Sequence, residues 1–460
     1  MGSGKRRRFL ETGLLLGAAL SVGGLFLASG VTRDGSAPPW LLPLDDAYIF
    51  LRYALQAARG EPLQWTSGLF STGASSFLYP WLEVPAFWIS MKISFASRWA
   101  FWLGAVALWA AGTGALRLLR SVGAPDPWPL AGGLTLVWFG PMAFASLGGM
   151  ESGLNGAALL WALAFWVEGS GPRSSPRIRW LALLLVAFLP WIRPENGILT
   201  GMAAGALLLG VGPGLPRVSA LLVFLPGAVL AGTNWLLTGH LSPAGALAKS
   251  RLTAPFVGPE LQASLFLHDL WERVLPVYAG SPRFVLPPPV GWLAVAGALL
   301  AFASLTPWRP DGTSIRWRRV VPVATAWSVL VVLAPFSSLV HWHYWRHHHG
   351  GLALGWVLAL GALAALFESV DRDRLPRLRW LALVVPLALA LSLPGWASRF
   401  ARGVEVLHRR DGKGAGLLEE LPGDRVLLLD DAGLLSLAYD GPMIDVVGLG
   451  TPGLALPFRH

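Results

Sequence analysis

The sequence predicts a polytopic α-helical membrane protein of about eleven transmembrane helices with a small external C-terminal α/β segment. Three observations predict it. The 460 residues are 54% hydrophobic and only 13% charged, where a soluble domain carries about 25% charged residues. The apolar residues fall in long runs separated by short basic turns. The chain also holds 24 Trp, a residue that concentrates at membrane–water interfaces. Such a composition excludes an ordinary soluble enzyme and a disordered protein. Cys is absent, which excludes disulfides and thiolate chemistry. A net charge of +10 would suggest nucleic acid in a soluble protein. Here the basic residues punctuate apolar runs, so they read as topology signals and no nucleic-acid partner is expected.

The chain opens with Lys5, Arg6, Arg7 and Arg8 before an apolar run over 9–29. No small-residue cleavage site follows, so the run reads as a retained signal anchor with a cytoplasmic N-terminus. Ten further spans are expected near 98–117, 129–148, 152–168, 180–193, 195–211, 218–236, 288–305, 320–339, 350–367 and 380–396. The stretch 76–90 is apolar but carries Pro80, Glu83 and Pro85. Parity assigns it to the interface. Arg117 and Arg120, then Arg173, Arg177 and Arg179, then Arg316, Arg318 and Arg319 then all fall inside, as the positive-inside rule prefers. The transmembrane module covers 1–399, with a first external loop at 31–97 carrying juxtamembrane helices and a later one at 237–287. The remaining 400–460 form a small external domain containing a strand-like run at 425–429.

The unusual polar residues collect on the outer face. Asp45 and Asp46 open an amphipathic stretch, with Tyr48 and Arg52 on the face of Asp45 by helical spacing. Glu151 follows Gly148, Gly149 and Met150. Each acid has a structural alternative, since a first-turn carboxylate caps free N–H groups and suits the helix dipole. Together they suggest a general-base site. Arg193, Pro194 and Glu195 sit between two apolar segments. Ionisable residues at such depth are functional candidates by default, or else a turn clamp. Lys249, His343 and Arg346 offer cationic groups for a phosphate, with lipid headgroups as the competing use. The run HWHYWRHHH over 341–349 invites a metal without fixing a geometry. Trp65, Phe70 and Trp81 suit stacking on a sugar or prenyl chain, or interfacial anchoring. No phosphate-binding P-loop, dinucleotide glycine fingerprint or HExxH motif is present, which argues against a nucleotide-driven pump.

Five blocks carry a resemblance: DDAYIFLRYA at 45–54, GGMES at 148–152, RPEN at 193–196, LSPAGALAK at 241–249 and DDAGLLSLAYDGPMIDVVGL at 430–449. In that order they resemble the integral-membrane glycosyltransferases of the GT-C type, similar to bacterial arabinofuranosyltransferases and dolichyl-phosphate-mannose-dependent mannosyltransferases. The chain departs from that pattern at Ser71 to Ser76 and at Ser242, Pro243 and Ala244. The resemblance implies a hexosyl- or pentosyltransferase of cell-envelope biogenesis in the bacterial cytoplasmic (inner) membrane, with its active site facing the periplasm or exterior. The implied donor is a polyprenyl-phosphate sugar. The implied acceptor is a glycan, lipid or protein, and transfer would invert the anomeric centre. Asp45, Asp46 and Glu151 take the catalytic positions. Arg193, Lys249, His343 and Arg346 are candidates for the donor phosphate, with Tyr48, Arg52 and Glu195 in support. A divalent cation (Mg²⁺, Mn²⁺ or Ca²⁺) on Asp45, Asp46 and Glu151 is left open. A transporter or flippase for lipid-linked saccharides is the alternative, but it calls for inverted repeats and midplane charges. A non-catalytic envelope scaffold is the third reading.

Overall fold

The computed structural model describes residues 3–30, 42–245, 258–279, 288–305, 315–336, 348–370, 378–429, 433–446 and 450–451. Helix α1 (Ser3–Gly30) is followed by α2 (Asp45–Ala58) and by a short hairpin of β1 (Gln64–Thr66) and β2 (Leu69–Phe70). Then come α3 (Tyr79–Ile89), α4 (Ile93–Ser121), α5 (Trp128–Trp138), α6 (Gly140–Leu147), α7 (Ser152–Gly169), α8 (Pro176–Ile192), α9 (Gly197–Leu208) and α10 (Ser219–Thr238). The later helices are α11 (Pro259–Asp269), α12 (Leu275–Ala279), α13 (Pro288–Ala303), α14 (Trp317–Leu333), α15 (His349–Val370) and α16 (Val384–Leu407). The tail adds α17 (Lys413–Glu419), β3 (Leu427–Leu429), α18 (Leu434–Ala438) and β4 (Met443–Asp445).

Each expected span overlaps at least one helix among the described residues, but the count does not carry over. Among the described residues five helices are long and apolar enough to cross a membrane, or six if the bent pair α5–α6 is one span. The others, α7, α8, α9, α13 and α14, have 12 to 18 residues, against about 20 for a straight crossing. The bend between α5 and α6 is 53°. Pro141 lies in the first turn of α6, where it has no N–H to continue the ladder from α5. Helix α3 has 11 residues, about 16 Å at 1.5 Å per residue, and so cannot span.

The helices pack through small residues. A side chain on Gly104 would run into the backbone of Ser146, so the absence of a Cβ lets α4 lie against the end of α6. Basic residues gather at one end of the bundle. Arg7 pairs with Asp126 at 2.6 Å, Arg120 with Glu11 at 2.5 Å and Arg117 with Glu168 at 2.7 Å. Arg319 donates to the Ser121 carbonyl and Arg179 to that of Gly214. The start of α2, the 148–151 turn and the 193–196 turn sit at the other end.

The boundary expected at 399/400 falls inside α16, so the tail grows directly out of the last long helix. Its two strands pair in parallel, Leu427 opposite Met443 and Leu429 opposite Asp445, with α18 as the crossover. The tail does not stand alone. Leu429, Tyr439 and Met443 form one buried cluster with Ile49 and Tyr53 of α2 and Trp65 of β1.

Candidate functional site

Helix α2 organises the polar end. Its N-cap position is Leu44, with no side-chain cap, so Asp45 and Asp46 occupy its first turn and favour the dipole. The Asp45 carboxylate reaches the tail. Its Oδ1 accepts from the Leu434 N–H at 2.8 Å, at the start of α18. A side chain on Gly433 would collide with the same carboxylate. The tail therefore closes directly over Asp45. Both acids are half-buried.

Helical spacing places Tyr48 and Arg52 on the face of Asp45; Tyr48 does lie within reach of the Asp45 charge, whereas Arg52 turns to the hairpin and the tail. The Tyr48 hydroxyl is buried and accepts from the Leu42 N–H at 2.7 Å. Burial raises its pKa, so the phenol stays neutral. Arg52 is only 1% exposed. Its Nε donates to the Trp65 carbonyl at 2.9 Å and its Nη1 to the Tyr439 carbonyl at 3.1 Å. Burial first, and then Arg59, pushes its pKa down to about 10, so it remains charged at neutral pH. It is a staple between the hairpin and the tail. Trp65 is fully buried in that junction and has no face for a sugar. Phe70 and Trp81 keep exposed surface.

Glu151 lies in a second cluster. The 148–151 turn relies on Gly149 at φ 78°, a left-handed conformation that favours glycine. The turn carries Glu151 to the N-cap of α7 without a capping bond. Instead its Oε1 accepts from Arg193 Nη1 at 2.7 Å and from Ser75 Oγ at 2.9 Å. Arg193 also holds Glu195 through Nε. Glu151 is fully buried and Arg193 nearly so. Arg193 thus clamps two carboxylates, an arrangement unlike the open phosphate ligand expected of it, and Glu151 sits apart from solvent. Asn196 completes the turn by donating to Asn155 Oδ1 at 2.6 Å. The segment before α3 seals this cluster, since the Phe77 and Leu78 N–H groups donate to the Trp191 carbonyl in the last turn of α8. The 241–249 block joins it where Ala244 N–H donates to Thr72 Oγ1 at 3.1 Å. Lys249, His343 and Arg346 lie outside the described residues. Of the histidine run, His348 and His349 are described and both are buried, with His348 Nδ1 at 3.3 Å from the Tyr278 hydroxyl.

The acids expected to share a cation divide between these two clusters. Among the described residues no three His, Cys, Asp or Glu side chains are grouped to hold a metal. The residue set does not fit a metal centre of Asp45, Asp46 and Glu151.

Glu83 carried no role in the sequence. It is fully buried on α3, and neither carboxylate oxygen has a hydrogen-bond partner among the described residues. Burial, and secondarily the nearby Glu151 charge, pushes its pKa well above the usual carboxylate range. An acid raised in the folded state favours folding most below its unfolded pKa. That advantage fades as pH rises toward its folded pKa. Glu83→Gln is expected to flatten this decline and to melt at or above the wild-type temperature at alkaline pH. Thermal unfolding in nanodiscs from about pH 4 to about pH 9 checks it. A variant less stable than wild type at the alkaline end contradicts a neutral Glu83.

A groove of about 470 Å³ opens beside Asp45, lined by Pro43, Leu44 and Phe144 and by Arg399, Arg402 and Arg410 of the last long helix and its extension. These arginines lie outside the five sequence blocks. Their spacing of three and eleven residues was the available signal.

No protein-family model matches the chain, and no curated protein sequence matches it. Solved structures do. Over 96% of this chain and 87% of its own length, ArnT from Cupriavidus metallidurans bound to undecaprenyl phosphate aligns with a TM-score of 0.50 at 16% identity. The apo oligosaccharyltransferase of Archaeoglobus fulgidus gives 0.52 at 13% identity, covering 92% of this chain. The archaeal AglB from the same organism, in complex with an inhibitory peptide and a dolichol-phosphate, gives 0.52 at 12% identity over 93% of this chain. The chain spans 64% of each archaeal protein. At these identities the likeness is one of fold: the chain is a polytopic α-helical membrane protein with the fold of the GT-C membrane glycosyltransferases.

Proposed function

We propose that the protein is a glycosyltransferase that moves a sugar from a polyprenyl phosphate to a hydroxyl of a glycan, lipid or protein. The observation that carries this reading is the placement of Asp45 at the rim of a cationic groove. The setting is a fold shared with proteins solved with undecaprenyl phosphate and dolichol-phosphate. Asp45 or Asp46 takes the acceptor proton as the acceptor oxygen attacks the anomeric carbon. The bond from that carbon to the phosphate oxygen breaks, and its electron pair leaves on the phosphate. A phosphate leaving group needs cationic pairing more than protonation. A single displacement inverts the anomeric centre. The chain crosses the bacterial inner membrane several times, and Asp45 faces outward opposite the basic end of the bundle. The sugar is a hexose or a pentose.

The test is a transfer assay in liposomes with a panel of radiolabelled polyprenyl-phosphate sugars and an envelope extract as acceptor source. Wild type is expected to consume one donor and label an acceptor. Asp45→Asn/Asp46→Asn is expected to insert normally and transfer nothing. Donor crossing the bilayer intact in both proteins would replace the enzyme with a flippase.

A further inference from the structure

We infer that the groove between α8 and α10, running from the end of the bundle away from Asp45, holds an anionic glycerophospholipid of the cytoplasmic leaflet, with its phosphate at Arg177 and Arg217 and an acyl chain along the groove. The inference takes the basic end of the bundle as the inner one and does not depend on sugar transfer.

The chain reverses at 193–196 and again between α9 and α10, so α8 and α10 run in the same direction from the basic end. Two bonds set them side by side. Arg179 Nη1 donates to the Gly214 carbonyl at 3.2 Å, which ties the segment leading into α10 to the start of α8. Farther along, the Trp191 indole donates to the Pro226 carbonyl at 2.8 Å. Between the two helices lies a groove of about 530 Å³. Leu184 and Phe188 of α8 and Leu222 and Leu225 of α10 line it, and all four keep exposed surface. An open apolar surface of this kind marks contact with lipid or a partner. The lining runs from Arg177 to Phe188, eleven residues along α8, or about 16 Å at 1.5 Å per residue. One leaflet supplies half of a hydrocarbon core about 30 Å thick. The groove therefore has the depth of a single leaflet, which suits the acyl chain of a phospholipid and is short for a chain that crosses the bilayer.

The charges select the headgroup. Arg177 lies at the mouth of the groove, and Trp180 beside it is exposed, as suits a Trp at headgroup level. Arg217 stands two residues before α10. Other arginines at this end are engaged. Arg7, Arg117 and Arg120 pair with carboxylates, and Arg179, Arg318 and Arg319 donate to carbonyls. The side chains of Arg177 and Arg217 are exposed and have no hydrogen bond or ion pair with another described residue. From 169 to 238 the sequence places Arg173, Arg177, Arg179 and Arg217 at this end, while its one acid, Glu195, lies at the other. The mouth of the groove thus attracts an anion. Guanidinium forks match phosphate oxygens in geometry as well as charge, and a basic pocket between helices on the cytoplasmic side suits an anionic lipid headgroup.

The experiment measures phosphatidylglycerol bound to the full chain by native mass spectrometry, with phosphatidylcholine as the zwitterionic comparison, and follows thermal unfolding in nanodiscs of each lipid. Phosphatidylglycerol is expected to bind more tightly and to raise Tm. Arg177→Gln/Arg217→Gln is expected to weaken its binding by about tenfold to thirtyfold and to remove most of the gain in Tm. Arg409→Gln, on the tail and paired with Glu405, is expected to match wild type. Arg177→Lys/Arg217→Lys is expected to recover part of the affinity. Leu184→Trp fills the groove without changing charge and is expected to weaken phosphatidylglycerol binding as well. In phosphatidylcholine all variants are expected to melt with wild type, which separates a lost site from lost folding. Equal affinity for the two lipids, wild-type affinity in the glutamine double variant, an equal loss in Arg409→Gln, or wild-type binding by Leu184→Trp would overturn the assignment. So would displacement of phosphatidylglycerol by undecaprenyl phosphate. A protein that passes these tests yet transfers no sugar refutes the proposed enzyme and leaves the lipid site standing.

Discussion

Replacing Arg193 with methionine is expected to destabilise the protein by about 3–5 kcal/mol, the usual consequence of stranding a buried charge. The partners are unequal. Glu151 is fully buried and relies on Arg193 Nη1 at 2.7 Å and the neutral Ser75 hydroxyl at 2.9 Å. Arg193 holds Glu195 as well. Removing the arginine therefore leaves Glu151 with a single neutral donor, whereas Glu151→Gln leaves Arg193 paired. Arg193→Met should cost more than Glu151→Gln, and the double variant should recover much of the loss. Unfolding in mixed micelles, read as a double-mutant cycle, measures this. A stable Arg193→Met protein that has lost donor binding would return Arg193 to the phosphate role suggested by its position in the sequence.

The cycle marks where sequence reasoning succeeds and where it stops. Long apolar runs must become helices in lipid because every backbone polar group needs a partner, so the helical segments were legible. Their lengths were less so, since prolines such as Pro141 and turns such as 193–196 break helices inside the protein. The acids at 45, 46 and 151 were legible as unusual charges. Their partners were not. Arg52 binds the carbonyl of Tyr439, 387 residues away, and a backbone acceptor leaves no mark in composition. Helical spacing could align Arg52 with Asp45 but could not reveal that the tail would cover it. Glu83 was hidden for the opposite reason, as one carboxyl within an apolar stretch that contains no cation to suggest a pair.

Asp45→Asn is expected to lower transfer by about 10² to 10⁴-fold, the range for a general base, while leaving the tail in place. The amide keeps the oxygen that accepts the Leu434 N–H, so docking survives and basicity does not. Gly433→Ala makes the complementary change. Its Cβ would meet the Asp45 carboxylate and must push α18 away while Asp45 remains an acid. If Asp45 is the base, Asp45→Asn loses turnover at every donor concentration. Gly433→Ala then loses only the part that depends on how the tail aims the carboxylate. If Asp45 serves merely to cap α18, the order reverses: Asp45→Asn stays near wild type, Gly433→Ala loosens the tail, and Asp46→Asn carries the catalytic loss. Turnover of the three variants, beside limited proteolysis of the tail, decides between the two carboxylates. The pairing matters because the tail and the groove meet at Asp45, one closing it from outside and the other offering cations beside it. A base held between a fixed N–H donor and a row of guanidinia has its orientation set before the acceptor arrives, so the reaction need not order it.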